Sequence, residues 1–311
     1  MYLQPSTFLV RGLPVWPCFA EATAQAMQMG TVLMLIFFSC SCPTSAQIKI
    51  TEGIFSEGQE CFKIETPTAT YLYQKEAGGF SNILDRNGID WVQFHKSVEA
   101  TYPASAAADY RGLPNLVFRS DDGGAGHPGF EKMTSERFGD RGIRSTSKSG
   151  KWQWSWVFYD NYAELTVEKV DEDHAYWFLY EGPIAGKFSP STHYWGTDVS
   201  GPLTKQPDLY KGPEHSGNWQ TVYFGDSNYS KTFFVTQLSA DSLTDHYTYL
   251  GNSEKGNDSD DGMVVFGFGR APKATPLFTQ PHKFRMGFYD GKVENPDDHQ
   301  LILKYIEQLE P

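Results

Sequence analysis

The sequence lacks an apolar run that is long enough to span a membrane. Its most hydrophobic stretch, Val32–Phe38 (VLMLIFF), is far shorter than the about 20 residues that a transmembrane helix needs. Small residues follow this stretch and lead to a Ser-x-Ala-like peptidase site that ends at Ala46. Residues 1–46 are therefore interpreted as a signal peptide preceded by a mis-assigned N-terminal extension. We expect export to the periplasm or outside the cell, with a lipid-anchored form as the less favoured alternative.

Cysteine is scarce in the part of the chain that we expect to fold. Of the 4 Cys in the sequence, only Cys61 follows Ala46, so the exported chain cannot form an intramolecular disulfide. A lone cysteine at the start of a strand is usually a small buried hydrophobic residue. We therefore assign no function to Cys61.

Basic residues are fewer than acidic residues, with 26 Lys and Arg against 38 Asp and Glu. The formal net charge is −12 at pH 7, and an acidic surface disfavours nucleic acid, whose binding requires a basic footprint. Any anionic sugar would have to meet a local cluster of Arg, His and Lys side chains. The oligomeric state is left open by the sequence.

Several motifs that would identify a reaction are missing. The sequence contains no G-x-S-x-G nucleophile elbow, and it has no H-E-x-x-H, C-x-x-C or phosphate-binding glycine motif. Segment Gly256–Gly262 (GNDSDDG) has the composition of a calcium loop but neither its spacing nor its terminal Glu. We interpret it as a solvated hairpin tip and expect no cofactor, with a structural Ca²⁺ as the alternative.

The chain from residue 47 to residue 311 has the pattern of one β-domain. Turn residues recur between short aromatic and β-branched runs, and several of these runs alternate between apolar and polar residues. Strands are predicted over Ile64–Tyr73, Ser155–Tyr159, Ala163–Val170, Ala175–Tyr180, Thr221–Phe224, Thr232–Gln237, Met263–Gly269 and Lys283–Tyr289. One helix is predicted over Asp297–Leu309, with Asp297 as its N-cap. Its apolar stripe is predicted to consist of Leu301, Ile302, Tyr305, Ile306 and Leu309. These elements indicate an all-β fold, a large antiparallel β-sandwich with a short C-terminal helix.

Aromatic residues are abundant, with 8 Trp, 17 Tyr and 22 Phe. Trp152, Trp154 and Trp156 are spaced by two, so a strand would place them on one face. We favour a packed core layer for these three over a platform for sugar rings. Trp195 and Trp219 have polar and glycine neighbours, and we predict that they are exposed platforms that bind substrate.

Two long segments have the composition of functional loops. Asp109–Phe130 and Glu181–Ser216 are rich in Gly and Pro yet contain Arg, His and Tyr, and long loops of this kind are often binding or catalytic elements. In the first segment, Arg111 could bind a carboxylate or sulfate, or pair structurally with Asp109. Tyr110 is a candidate substrate-binding residue, and His127, in a glycine-dense stretch, suits proton transfer near neutral pH.

The second segment contributes the remaining candidates. His193, Tyr194 and Trp195 are consecutive, and His215 follows them. We interpret the first three as loop residues, with His193 and Tyr194 as base and acid and His215 as a substrate-binding residue. The other histidines have charged or surface-type neighbours, and we predict that they are solvated: His95, His174, His246, His282 and His299.

Three segments carry a resemblance to a known group of folds. Ile64–Trp91 (IETPTATYLYQKEAGGFSNILDRNGIDW) resembles the opening hairpin of large galactose-mutarotase-like β-sandwiches. Asp173–Lys187 (DHAYWFLYEGPIAGK) and Asp260–Gly291 are similar to segments of secreted sandwich proteins of polysaccharide degraders. The resemblance implies a supersandwich fold and a function in carbohydrate chemistry, but the fold also occurs in mutarotases, hydrolases, lyases and binding modules.

Within that group we favour the eliminating enzymes, namely polysaccharide lyases and the oligosaccharide dehydratases of ulvan utilisation. Their chemistry implies a cation that neutralises a uronate carboxylate and a Tyr or His that removes the acidified proton. Arg111, His127, His193 and Tyr194 have suitable side chains. A glycoside hydrolase on the same scaffold and a non-catalytic carbohydrate-binding protein are the alternatives. The expected partner is an acidic poly- or oligosaccharide.

Overall fold

A computed structural model describes residues 48–56, 58–92, 115–118, 120, 122, 132–186, 189–207, 215–250 and 263–309. All of them belong to one compact unit, Thr44–Pro311. The predicted signal peptide, the candidates Tyr110, Arg111 and His127, and the calcium-like segment Gly256–Gly262 lie outside the described residues. The predictions made for them therefore stay predictions.

Strands are the main regular element of the described chain. In chain order these are β1 (Lys49–Ser56), β2 (Gln59–Glu65), β3 (Ala69–Gln74), β4 (Gly79–Asp85), β5 (Asn115–Phe118), β6 (Met133–Phe138), β7 (Gly142–Ser147), β8 (Gln153–Phe158), β9 (Tyr162–Lys169), β10 (Tyr176–Gly182), β11 (His193–Thr197), β12 (His215–Gly217), β13 (Thr221–Asp226), β14 (Thr232–Gln237), β15 (Asp245–Leu250), β16 (Met263–Phe268), β17 (Arg270–Ala271), β18 (Thr275–Pro276) and β19 (Lys283–Tyr289). The helix α1 spans Pro296–Glu307. Short 3₁₀ turns lie at Ile184–Gly186 and Pro272–Ala274. The all-β fold expected from the sequence is confirmed.

The strands form three large sheets. Sheet I has the order β1-β2-β3-β4, sheet II the order β12-β15-β16-β10-β5, and sheet III the order β11-β13-β14-β19-β9-β8-β7-β6. Neighbouring strands are antiparallel throughout these sheets. The strands β17 and β18 form a separate small ribbon.

Sheets I and II pack against the same face of sheet III. Phe80 of sheet I contacts Trp156 with ring centroids 5.1 Å apart, and Phe178 of sheet II stacks on Phe284 at 4.6 Å. Trp156 and Phe284 share a face of sheet III because both are paired with Leu165. We call this the inner face of sheet III and the faces turned toward it the inner faces of sheets I and II. The layered arrangement is that of a β-sandwich.

The aromatic core is formed by alternate residues of these strands. Trp152, Trp154 and Trp156 are fully buried among the inner-face residues, so the core-layer interpretation of this triplet is confirmed. Cys61 is a buried free cysteine, and burial raises the pKa of its thiol to about 11. The prediction that Cys61 is a small buried residue is confirmed.

Two elements differ from their predicted form. The predicted strand Ile64–Tyr73 is split between β2 and β3 by a turn, in which the Thr66 hydroxyl accepts a hydrogen bond from the backbone N–H of Ala69 at 3.0 Å. In α1 the N-cap is Asn295, whose side chain accepts from the N–H groups of Asp297 and Asp298, so the predicted cap at Asp297 is wrong. Leu301 is 54% exposed and does not belong to the apolar stripe. The predicted stripe members Ile302 and Ile306 are buried against the outer face of sheet III.

Candidate functional site

The consecutive candidates His193, Tyr194 and Trp195 lie in strand β11, so the expectation of a loop is wrong. Strand alternation places His193 and Trp195 on the inner face of sheet III and Tyr194 on the outer face. The structure therefore does not bring the side chains of His193 and Tyr194 together as an acid–base pair.

His193 takes part in a buried polar network between sheets II and III. Its Nε2 accepts a hydrogen bond from the Ser189 N–H at 3.1 Å, and its Nδ1 lies 3.4 Å from the Tyr249 hydroxyl. The Gln206 side chain donates to the His193 carbonyl at 2.7 Å and accepts from the hydroxyls of Tyr247 and Tyr249. With a buried imidazole in these contacts, the network fits a structural role at the edge of the core.

Tyr194 is buried on the opposite side of the strand, beneath α1. Its hydroxyl lies 2.7 Å from the Thr232 hydroxyl and accepts from the Val293 N–H at 3.1 Å. Burial raises the pKa of its phenol, which makes the phenolate harder to form. These contacts join sheet III to the segment before the helix.

Trp195, Trp219 and His215 do form one cluster, but it is not an exposed platform. Trp195 is 2% exposed and Trp219 is 9% exposed, so the predicted exposure is wrong for both. The Trp195 ring centroid lies 4.9 Å from that of His215 and 5.9 Å from that of Trp219. Burial, followed by the nearby charge of Lys205, lowers the pKa of His215. A role of these residues in substrate binding stays a prediction.

A few polar residues lie on the outer face of sheet II, beside a second buried apolar cluster formed by Val117, Trp177, Leu179, Met263 and Val265. Backbone pairing places Ser216 beside His246, His246 beside Gly267, and Gly267 beside Leu179. Asn115 continues this row, since it pairs with Leu179. Side chains in such a row project from the same face of a sheet. The row therefore collects a hydroxyl, an imidazole and an amide on the face opposite to the inner face.

Ser216 and His246 form the most direct contact in this row. The Ser216 Oγ lies 2.8 Å from the His246 Nδ1. His246 is 0% exposed, whereas Ser216 is exposed, so the hydroxyl is the solvent-facing end of the pair. A hydroxyl bonded to one ring nitrogen fixes the orientation of the imidazole.

Arg270 lies across the row at Gly267. A Cβ atom at Gly267 would stand 2.7 Å from the Arg270 Cδ and 3.0 Å from the Trp177 Cδ1. The space above this glycine is thus filled by the arginine side chain and the edge of the indole. Arg270 is only 9% exposed. The glycine in the middle of a strand is explained by this close approach of a neighbouring side chain.

Glu181 also lies on the outer face of sheet II. It pairs with Val265, which in turn pairs with Thr248, so it projects from the same outer face and is half-buried. We call Glu181, Ser216, His246, Arg270 and Trp177 the outer-face site. It combines a guanidinium, an imidazole, a hydroxyl, a carboxyl group and an indole.

Two histidines that were predicted to be solvated are buried in the structure. His246 and His299 are both buried, so the prediction that they are solvated is wrong, whereas His174 is partly exposed beside Asp171. The signal that could have found His246 is the alternation of Asp245–Leu250 (DHYTYL), in which Tyr247 and Tyr249 face the core. That pattern places His246 on the face opposite to the tyrosines.

Neither a metal site nor a membrane helix occurs in the part of the chain that the structure describes. Within those residues no group of three or more His, Cys, Asp and Glu side chains is placed to hold a metal ion. The same residues contain no helix with the length and hydrophobicity to cross a membrane.

Comparisons with known proteins find similarity in structure and not in sequence. No family model and no curated protein sequence matches the chain. The solved structure of HI1317 superposes with a TM-score of 0.51 at 10% identity, covering 78% of this chain and 100% of the other. A galactose mutarotase-like protein from Clostridium acetobutylicum gives 0.48 at 9% identity, with 78% and 98% covered. A Paenibacillus xanthan lyase gives 0.47 at 10% identity, with 84% of this chain and 26% of the lyase covered. At this level of identity the likeness to HI1317 concerns the fold alone, and the chain shares with that protein a large all-β architecture.

Proposed function

We propose that the protein is a carbohydrate-active enzyme that eliminates across a C–O bond of a uronic-acid-containing poly- or oligosaccharide, with the outer-face site as its active site. The observation that carries the proposal is the position of Arg270, largely buried beside the Ser216–His246 pair. In a chain of net charge −12, such a local cation is what an anionic sugar requires. The export predicted from residues 1–46 is consistent with an extracellular polysaccharide as substrate.

Arg270 is assigned the recognition of the uronate carboxylate. A guanidinium binds a carboxylate through two parallel hydrogen bonds, and its charge persists at any pH at which the protein is folded. Neutralising the carboxylate makes the adjacent C–H more acidic, because the carbanion-like charge that develops on its removal is stabilised. The low exposure of Arg270 strengthens this effect, since water screens it little.

His246 is assigned the removal of that proton. Its Nδ1 is engaged with Ser216, which fixes the orientation of the buried ring. The proton passes to the imidazole, the C–H electrons form the carbon–carbon double bond, and the C–O bond at the β position breaks. Glu181 is assigned the return of a proton to the leaving oxygen. Trp177 is 4% exposed and packs beside Gly267 at the edge of the site.

Glycoside hydrolysis and non-catalytic sugar binding are the alternative functions. Among the described outer-face positions of sheet II, Glu181 is the only carboxylate, and hydrolysis by the common mechanisms uses two. A non-catalytic sugar-binding protein would use the same arginine and indole without proton transfer. The experiment below separates these functions.

The test is the ultraviolet absorbance of unsaturated uronates after incubation with a panel of uronate polysaccharides and their oligosaccharides. We expect a rise for the protein and a loss of at least about 100-fold in rate for His246→Ala, since a positioned general base contributes on that order. His174→Ala is the matched control, because His174 is a partly exposed histidine at a turn. Its rate should be unchanged.

The remaining outcomes reject parts of the proposal. Binding of a uronate without any absorbance change would indicate a binding protein. New reducing ends without unsaturation would indicate a hydrolase. Full activity in His246→Ala would remove the outer-face site as the active site and leave Arg111 and His127 as the candidates.

A further inference from the structure

A buried carboxyl group lies directly behind the outer-face site. Asp245 begins strand β15 and is 0% exposed. Its Oδ2 accepts a hydrogen bond from the Trp219 N–H at 2.7 Å, and its Oδ1 accepts from the Gly269 N–H at 2.9 Å. It projects toward the core, so it does not face a substrate on the outer side of the sheet.

The partners of Asp245 belong to the three segments that carry the site. His246 is the next residue along the same strand. Gly269 directly precedes Arg270, and Trp219 follows shortly after Ser216 on the chain that leaves β12. One carboxyl group therefore joins the strand of the imidazole, the turn of the guanidinium and the strand of the hydroxyl.

The segments around Gly269 and Trp219 are both tightly packed. A hydrogen bond from either segment to Asp245 therefore also restrains the residues beside it. Gly269 has a φ of +64°, and a Cβ there would lie 2.6 Å from atoms of the Phe278 ring. Its carbonyl accepts from the Leu277 N–H at 2.9 Å, which fixes the turn before Arg270. On the other side, the Trp219 ring lies over Gly217, the residue that pairs with Asp245.

We propose that Asp245 is the positioning residue of the outer-face site, and that its carboxylate holds Ser216, His246 and Arg270 in the relative placement that an acidic saccharide requires. The inference rests on the proposed function. It assigns a role to a residue that touches neither substrate nor reacting atoms.

The ionisation of Asp245 gives this role a measurable signature. Burial raises the pKa of its carboxyl to about 7. The hydrogen bonds from the two backbone N–H groups act in the opposite direction and lower the pKa. The nearby carboxylates of Asp241 and Asp198 raise it further. An ionised carboxylate accepts hydrogen bonds more strongly than a neutral one. The hold on Gly269 and Trp219 is therefore expected to weaken as the pH falls through about 7.

The first measurement needs no variant and no substrate. The amide proton shifts of Gly269 and Trp219 are followed by NMR across neutral pH. We expect both amides to titrate together with a midpoint near 7, and both to lose that step in Asp245→Asn. Asp241→Asn removes a neighbouring carboxylate and should retain the step. Amides that do not titrate in the wild-type protein overturn the inference, whatever the saccharide measurements show.

The second measurement links the contact to the site. Asp245→Asn should lower kcat/KM on a uronate oligosaccharide by up to about 100-fold, as expected when a reactive group is displaced by about 1 Å. It should also abolish the limb of the pH profile near 7, while Asp241→Asn keeps both the rate and the limb. A folded Asp245→Asn protein with wild-type rate and pH profile contradicts the inference. If the wild-type protein acts on no uronate although the amides titrate, the proposed function fails, and the positioning role falls with it.

Discussion

At the scale of single residues, the outer-face site depends on a side chain that is missing. Gly267 leaves the space in which Arg270 lies against the sheet, and a Cβ at this position would stand 2.7 Å from the arginine Cδ and 2.8 Å from its Cβ. Neither contact is at the flexible end of the side chain. Any residue other than glycine must therefore displace the arginine stem.

Gly267→Ala is expected to weaken binding of a uronate oligosaccharide by about tenfold or more while destabilising the fold by about 1–3 kcal/mol, the usual cost of overpacking. Calorimetric titration and urea unfolding give the two quantities. Gly88→Ala is the matched control, because Gly88 has a φ of +79° and a Cβ there would meet no atom within 4 Å. It should lose stability of order 1 kcal/mol from backbone strain and keep its affinity. Equal affinities for the two variants would show that Arg270 does not bind the sugar.

Asp245 also makes the stability of the fold depend on pH. Its pKa is raised from 3.8 to about 7 in the folded protein, so the folded state binds a proton that the unfolded state has released between these values. Stability from this group is therefore full below about pH 4 and declines as the pH rises to about 7.

Asp245→Asn is expected to remove this decline in unfolding free energy. Because one pKa unit corresponds to about 1.4 kcal/mol, we expect the decline to be roughly 2–4 kcal/mol. Urea unfolding at about pH 5 and about pH 8 measures it as a difference between variant and wild type, in which the other titrating groups cancel. Asp241→Asn should preserve the slope. A wild-type slope retained in Asp245→Asn would mean that the carboxyl titrates at its ordinary value.

At the scale of elements, the sequence pattern predicts β8, β9, β13, β14 and β19 of sheet III but misses β6, β7 and β11. The predicted bounds of Thr232–Gln237 and Lys283–Tyr289 are those of β14 and β19. The pattern is clear there because one face is apolar and buried along the whole strand. Strand β11 has the same period, but Gly196 interrupts it, and that glycine is required because the Tyr223 ring occupies the position of its side chain. A close packing partner from another strand is not visible in a local sequence pattern.

The candidate site was only partly predictable for a related reason. Period two already separates Tyr194 from His193 and Trp195, but it does not tell which face another sheet will cover. Trp195 faces sheet II and is therefore core. His246 has polar neighbours in sequence, yet it is buried on the outer face. Burial of this kind depends on sheet order, which brings Ser216, His246 and Gly267 into one row.

The helix cap gives an element-scale prediction. Asn295→Ala removes the acceptor of two backbone N–H groups and should cost about 1 kcal/mol of unfolding free energy. Asp297→Ala, at the position predicted from sequence, is the control. That exposed residue contributes only through the helix dipole, about 0.3–1 kcal/mol at low salt. The urea midpoints of the two variants measure these losses of stability. A larger loss of stability for Asp297→Ala than for Asn295→Ala at high salt would show that Asp297 is the N-cap.

At the scale of the whole molecule, the charge of the protein opposes the charge of its proposed substrate. A net charge of −12 repels a polyuronate at long range, whereas Arg270 attracts one carboxylate at contact. Salt screens the long-range repulsion more than the contact between Arg270 and a carboxylate. Exposed charges are screened beyond about 8 Å at physiological ionic strength, while a largely buried ion pair is screened much less.

Raising the ionic strength from about 0.02 M to about 0.2 M should therefore leave the affinity for a uronate oligosaccharide unchanged or improve it, because the repulsion is weakened more than the contact. Calorimetric titration across this range measures the effect, and Arg270→Gln should weaken binding at every salt concentration. The same oligosaccharide with its carboxylates reduced to alcohols is the matched ligand, and its affinity should be low, independent of salt and insensitive to the Arg270→Gln substitution. A steep loss of affinity with salt would instead indicate recognition by a surface basic groove, as electrostatic attraction between exposed charges requires. In that case the acidic saccharide would bind away from the outer face of sheet II.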